Sequence, residues 1–311
     1  MSSILETGNN KAKCQQFTPD NLIETMLALA NYTDDLMGKT VLENSFGAGN
    51  ILKAIVIRYI NSALKAGFDL NAVSQGLSRD IYGYELDKAL YNKCLSELNG
   101  IVNQYSLPAV QWNLFNRDAL AMEDDITFDY IIGNPPYISY NEMDPLSRKT
   151  LKETYESCSI GKYDYCYAFI ELGINHLKES GKLVQLVPNN IYKNVFGQIL
   201  RDKLKMHITS IYDYPDQRLF NNALTSVSLF LYEQDNISAS VYYKNMTNNQ
   251  EMDISRDALN SKWVFACNTS QKEALVKFGE VFHASISIFC LLVLLFFFIY
   301  LSPCAGAQVT V

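Results

Sequence analysis

The sequence predicts an α/β fold, a doubly wound parallel sheet with helices on both faces. Three observations predict it. Short apolar runs alternate with segments of helical apolar spacing. The first run passes into a helix through a glycine-containing turn. With 311 residues, 48% of them hydrophobic, the chain can bury a sizeable core.

The elements follow in order. Thr40–Glu43 is a short strand, Asn44–Gly49 the turn, and Ile51–Leu64 a helix. Asp80–Glu85 reads as the second strand and Asp87–Leu98 as its helix. Val110–Leu114 is a third strand, and Phe128–Gly133 a fourth that ends on Asn134-Pro135-Pro136-Tyr137. A helix fits Tyr165–Lys178, and Lys182–Val187 is a fifth strand. Ser210–Tyr214 and Ser226–Tyr232 supply two more. Strands separated by helices imply parallel pairing with both faces covered. Ligand sites in such sheets lie at the carboxyl ends of the strands.

Composition excludes several classes. The net charge of −7 argues against a protein that coats nucleic acid by bulk charge, though not against a local basic cleft. Seven scattered cysteines without a Cys-x-x-Cys pair fit a reduced, cytoplasmic compartment. His176, His207 and His283 lie far apart and offer no metal-ligand spacing, so no metal is expected. The N-terminus lacks a signal-peptide pattern.

The chemistry concentrates at strand ends. Gly47 and Gly49 allow a tight turn and close approach to a ligand, with helix amides behind them. Alone, that pair equally describes an ordinary strand–helix turn. Glu85, with Leu86 beside it, stands where ribose hydroxyls would find an acceptor, whereas Asp87 suits a helix N-terminus. Asp118 could accept from an adenine amino group and Leu120 pack on the ring, or Asp118 could simply cap a turn. Asn134-Pro135-Pro136-Tyr137 is the sharpest signal. Two prolines fix the backbone and remove two donors. The Asn134 side-chain oxygen and the Pro135 carbonyl remain as acceptors, followed by an aromatic ring. Such an array suits an amine conjugated to a planar ring, and Tyr137 would stack on that ring.

These residues, in this order, resemble the gamma class of N6-adenine DNA methyltransferases, of the TaqI and type IIG restriction–modification kind. The resemblance covers about residues 14–235 and implies a Rossmann-like class I methyltransferase sheet that binds S-adenosylmethionine. Gln16-Phe17-Thr18-Pro19 matches the N-terminal motif, for which the family implies contacts to the methionine part of the cofactor. Glu43, Gly47 and Gly49 match the cofactor loop, although Asn44 departs from the usual proline. Glu85 matches the ribose-binding acid and Asp118 the residue at the cofactor's adenine amino group. Tyr163-Asp164-Tyr165 and Gly181–Pro188 match later motifs, and Leu219-Phe220-Asn221-Asn222 matches the segment carrying the target-base aromatic. The resemblance implies that Phe220 sandwiches a flipped adenine opposite Tyr137; otherwise Phe220 is a core residue. The implied partner is double-stranded DNA with the adenine extruded. The implied reaction is an in-line methyl transfer without metal or covalent intermediate. Ser147–Lys152 could meet phosphate or form a solvated helix face.

Three regions are expected: a catalytic domain over 1–244, a remnant of a target-recognition region over 245–283, and an apolar tail over 284–311. The polar stretch Asn245–Glu251 marks the first boundary. Ile286–Leu301 is almost wholly apolar, slightly shorter than the roughly 20 residues a membrane-crossing helix needs. A frameshifted or fused end is the favoured reading, ahead of an anchor or a core helix, and a membrane partner is not expected. The rivals are a methyltransferase acting on glutamine amides of release factors, an RNA guanine methyltransferase, and a truncated chain that only binds cofactor. Whether a nuclease or a separate specificity component completes the system stays open.

Overall fold

The computed structural model describes residues 18–122, 125–215, 226–259, 261–263 and 265. The chain divides into two units, Met1–Val264 and Phe265–Val311. Of the second unit only Phe265 is described, so the apolar tail and most of the expected recognition remnant lie outside the described residues. No helix among the described residues is long and apolar enough to cross a membrane.

The first unit opens with helix α1 (Asp20–Leu29). It continues through β1 (Val41–Glu43), α2 (Asn50–Lys65), α3 (Leu70–Asp80), β2 (Ile81–Tyr84), α4 (Lys88–Gln104), β3 (Asn113–Phe115) and β4 (Phe128–Gly133). Then come α5 (Pro145–Thr154), α6 (Cys166–Asn175), β5 (Leu177–Pro188), α7 (Gln198–Lys205), β6 (Ile208–Tyr214), β7 (Val227–Glu233), β8 (Ser240–Asn245) and β9 (Glu251–Ser255). The strands form one sheet in the order β3-β2-β1-β4-β5-β7-β6-β8-β9. β1 to β5 pair in parallel. The chain steps outward from β1 to β3, then returns to place β4 on the other side of β1. The order therefore reverses between β1 and β4, and a crevice opens at their carboxyl ends.

Alternation along the central strands covers both faces. Ile132, Val184 and Leu186 join the core built by α1 and α2, where Ile51, Leu52, Ile55, Val56, Tyr59 and Ile60 form the buried stripe of α2. Ile131 and Leu183 point the other way and meet α6 at Gly173. This is the doubly wound arrangement expected from the sequence.

Two expectations need correction. β7 runs antiparallel to both β5 and β6, and β8–β9 is an antiparallel hairpin, so the sheet is mixed. The parallel rule depends on a helical crossover, and the sequence shows no helical pattern between Tyr214 and Ser226. Second, Asn245–Glu251 does not follow the domain. It is the β8–β9 turn, in which Asn245 Oδ1 accepts from the Thr247 amide at 2.9 Å and Asn249 adopts a positive φ of 56°. Polar turn residues mark a hairpin as readily as a linker. The body continues to Trp263, which stacks on Tyr192 with ring centroids 5.8 Å apart. Buried Arg256 ties β9 inward by donating to the Ser238, Lys205 and Ile208 carbonyls. Helix α3 escaped the sequence reading because its buried apolar stripe is only Val73 and Leu77.

Gly181 sits beside the register shift between β4 and β5. A Cβ there would lie 2.8 Å from the Phe128 carbonyl oxygen and 2.9 Å from both the amide and the carbonyl of Lys178. Backbone on all sides cannot yield cheaply. Gly181→Ala should destabilise the fold by about 1–3 kcal/mol, read as a lowered urea midpoint at constant m-value.

Candidate active site

The crevice is lined by the loops that leave β1, β2 and β4. After Glu43 the chain turns through Gly47 and Gly49, whose φ angles are 54° and 82°. Only glycine adopts these readily. A side chain at Gly49 would also collide with Cys94 Sγ on α4, so the glycine seats the start of α2 against α4. Gly49, the N-cap of α2, makes no side-chain cap, and the Glu43 carboxyl accepts from the Leu52 amide in the first turn of the helix.

Glu85 fixes this loop. One carboxylate oxygen accepts from the Gly47 amide at 2.9 Å, the other from the Asp87 amide at 2.7 Å. Asp87 is the N-cap of α4, accepting from the amides of Ala89 and Leu90. The division of labour expected between the two acids holds for Asp87. Glu85, however, braces the loop as well as facing its mouth. Leu86 is half-buried beside it. Asp118 is buried and caps a 3-10 turn over Ala119–Ala121, accepting from the Leu120 amide at 3.0 Å. Tyr155 donates to the Leu120 carbonyl at 3.1 Å, so the segment after β4 reaches back onto this turn.

Glu43 is buried, and its Oε2 has no hydrogen-bond partner among the described residues. Desolvation, then the nearby charge of Glu85, hold its carboxyl well above the usual carboxylate range. A cationic group placed here would restore the ionised form.

At the end of β4, Asn134 donates through Nδ2 to Thr18 Oγ1 at 3.2 Å. Thr18 is itself buried. The other end of the amide, Oδ1, is buried with no partner among the described residues. Pro135 is buried, and Pro136 and Tyr137 are half-buried. Gly133 lets the two loops lie side by side: a Cβ there would stand 3.3 Å from Asn44 Oδ1 and 3.8 Å from Glu43 Cγ. Asn44 uses its Nδ2 on the Phe169 carbonyl of α6, at 3.4 Å. The residue that departs from the family's proline thus tethers the loop to a helix.

Three contributions were invisible to motif reading. Thr18 orients Asn134 in addition to its expected place beside the cofactor. Gln185 of β5 stands in register with Gly133, fully buried, with neither amide atom partnered among the described residues. Asp164 lies beside Tyr137, whose hydroxyl is buried without a partner there. Burial raises the Asp164 carboxyl to about 6, although the Cys166 amide donates to it at 3.3 Å. Burial, then the neighbouring Cys166 and Asp164, push the Tyr137 hydroxyl well above its usual range. Glu43 Oε2, Asn44 Oδ1, Asn134 Oδ1 and both Gln185 amide atoms thus have no partner among the described residues, around the carboxyl ends of three adjacent strands. Each such group costs about 1–3 kcal/mol. Their concentration marks a place built for a polar ligand.

The structure thus brings together Thr18, Glu43, Gly47, Gly49, Glu85 and Asn134. Pro19 starts α1 next to Thr18. Asp118 and Leu120 stand farther out, beyond the end of β3. Phe17 and Phe220 lie outside the described residues. Among the described residues no group of His, Cys, Asp or Glu is arranged to hold a metal ion.

Comparison with known proteins places this geometry. A family model described as Eco57I restriction-modification methylase matches residues 51–220. The Type II methyltransferase M.BstVI of Geobacillus stearothermophilus is 27% identical over 72% of this chain and 43% of its own length. The chain spans about two-fifths of the length of the curated relatives it matches. A structure described as a putative class I S-adenosylmethionine-dependent methyltransferase from Listeria monocytogenes shares the fold. Its TM-score is 0.55 at 21% identity, over 78% of this chain and 68% of that one. DrdV in complex with DNA shares it too, with a TM-score of 0.61 at 14% identity, over 82% of this chain and 31% of that one.

The raised Asp164 carboxyl has a consequence for stability. It takes up a proton more readily in the folded chain than the ordinary aspartate near about 3.9. Between about pH 4 and its folded value of about 6, the folded state binds more protons than the unfolded one. Stability from this group is full at low pH and declines as pH rises through that window. Asp164→Asn should flatten the decline and leave the variant more stable than the parent above about pH 6, measured by thermal unfolding across that range.

Proposed function

The chain belongs to the Eco57I restriction-modification methylase family, and on that premise we propose that it methylates the exocyclic N6 amine of adenine in double-stranded DNA. S-adenosylmethionine is the proposed donor, and when bound it supplies a methyl group made electrophilic by its sulfonium.

The observation that carries this reading is the state of Asn134. Its nitrogen is committed to Thr18 and its oxygen is buried with no partner among the described residues. Pro135 follows with a carbonyl and no amide hydrogen. Two acceptors on a rigid turn can take both hydrogens of an aromatic amine. Those bonds draw the nitrogen lone pair out of conjugation as it attacks, so they strengthen toward the transition state. The methylated nitrogen stays hydrogen-bonded to these acceptors and loses its extra proton to water.

The residues around the crevice fit the donor. Burial holds the Glu43 carboxyl well above its usual range, and a neighbouring cation would favour its ionised form. The Gly47–Gly49 turn admits close approach, and Glu85 accepts from sugar hydroxyls while bracing that turn. Asp118 and Leu120 would receive the adenine ring of the donor, with Phe17, Thr18 and Pro19 on its methionine side. The target base must leave the helix at a cost of a few kcal/mol. Stacking on Tyr137, and on Phe220 opposite it, would return about 1–3 kcal/mol per contact. A glutamine-amide acceptor poses the same conjugation problem, but the family match and the named relatives favour DNA. DrdV, which shares the fold, is bound to DNA. A nuclease or specificity component is a further proposed partner.

Asn134→Ala should reduce tritiated-methyl incorporation into duplex DNA by at least about 100-fold, the scale of losing one preorganised transition-state contact. Calorimetric affinity for S-adenosylmethionine should be unchanged. Unaltered turnover would refute the assignment. Thr18→Val frees the Asn134 amide to rotate, so it should lower kcat by roughly tenfold, an intermediate loss.

A further inference from the structure

Pro188 ends β5 at the same edge of the sheet as Asn134, because β4 and β5 are parallel. From there the chain makes two 3-10 turns, over Asn189–Tyr192 and Val195–Gly197, before α7. The segment between α5 and α6 reaches the same place. Gly161, at φ 70°, lies directly beneath the Phe196 ring, which occupies the space a side chain at 161 would need. The resulting knuckle presents Ile160 at 60% exposure, Val195 at 66% and Phe196 at 38%.

The knuckle is rigid. Asn194 Oδ1 accepts from the Phe196 amide at 2.9 Å. Arg201, buried, donates to the Ile191 and Asn194 carbonyls at 2.8 Å each. Holding apolar side chains in water on a braced loop gives nothing to the fold; exposed apolar patches mark contact sites. Two exposed lysines flank it, Lys162 and Lys193. Neither forms an ion pair among the described residues. Nearby cations differ: Lys203 is held by Glu156 and Glu171, and Lys149 lies near Glu153. In a chain of net charge −7, two unpaired cations beside an apolar point suit a polyanion with an apolar interior. The patch also adjoins the catalytic loop, since the Asn190 side chain bonds to Asp164, which faces Tyr137.

We propose that this knuckle presses on the DNA duplex beside the extruded adenine. Ile160 and Val195 contact the unstacked base step, and Lys162 and Lys193 sit on flanking phosphates. Apolar wedges of this kind offset the cost of opening a base step. The inference rests on the DNA-methylation reading above and assigns to this surface the task of opening the helix.

The test uses the full chain and two duplexes, one with the target adenine paired and one with an abasic site opposite it, where the base is already unpaired. Ile160→Ser with Val195→Ser should slow methyl transfer on the paired duplex by about tenfold or more. It should restore rates to within about twofold of the parent on the abasic duplex, because the opening cost is then removed. Lys162→Gln with Lys193→Gln should make the slope of log affinity against log salt shallower by roughly 1.8, about 0.9 per phosphate lost. Both substituted surfaces are exposed, and unchanged cofactor affinity confirms that the variants fold. Equal loss on both duplexes, no loss on either, or an unaltered salt slope overturns the proposal while leaving methyl transfer intact. A protein partner on this patch predicts that last pattern. Failure of the parent to methylate either duplex overturns the underlying reading and this one with it.

Discussion

A primary amide can aim its oxygen only if its nitrogen is held. In this fold that condition is met by one 3.2 Å bond from Asn134 Nδ2 to Thr18. The bond joins residues 116 apart in the sequence. It closes the N-terminal segment over the end of β4, at the point where the strand order reverses. Gly133 lets the β1 loop lie close to the same point, because a side chain there would crowd Asn44. The doubly wound sheet brings the two loops to the same edge. The bond decides which end of the amide faces the crevice.

Around that point the protein keeps polar groups unsatisfied that an inert core would have paired or replaced. Burial, then Glu85, hold the Glu43 carboxyl well above its usual range, and Gln185 lies buried in register with Gly133 with neither amide atom partnered among the described residues. Such groups are destabilising in isolation. Their grouping at three neighbouring strand ends is the pattern expected where stability is surrendered for binding. Elsewhere buried charge is handled differently. Glu171 accepts from the Glu156 and Ser157 amides and meets Lys203. Asp80 accepts from Tyr59, Arg79 and the Gly38 amide. Those acids are structural because every near neighbour answers them.

Much of this was legible in the sequence where local chemistry decides the outcome. β4 has the predicted limits, since a run of β-formers ends abruptly at Gly133 and two prolines. Gly47 and Gly49 announced a turn that the left-handed backbone requires, and Asp87 announced a cap. What depended on contacts between distant segments was not legible. The β8–β9 hairpin carries no mark distinguishing it from a linker, and the reversal of β7 is hinted at only by the lack of a helical pattern between Tyr214 and Ser226. Nor does any local pattern join Thr18 to Asn134, or set Gln185 beside Gly133. The raised Asp164 carboxyl follows from burial by segments far along the chain, whereas an isolated aspartate before a helix reads as a cap.

The packing at Gly49 carries an evolutionary consequence. Cys94 sulfur fills the volume into which a side chain at 49 would project, and the backbone there is left-handed. Volume and chirality are separate obstacles. Shrinking the cysteine would clear space yet leave an L-residue strained, and reshaping the turn would relieve strain yet still strike sulfur. Neither single step reaches a viable alternative, so this corner of the molecule is trapped in its present solution. Drift among descendants should be confined to positions that face only one of the two barriers.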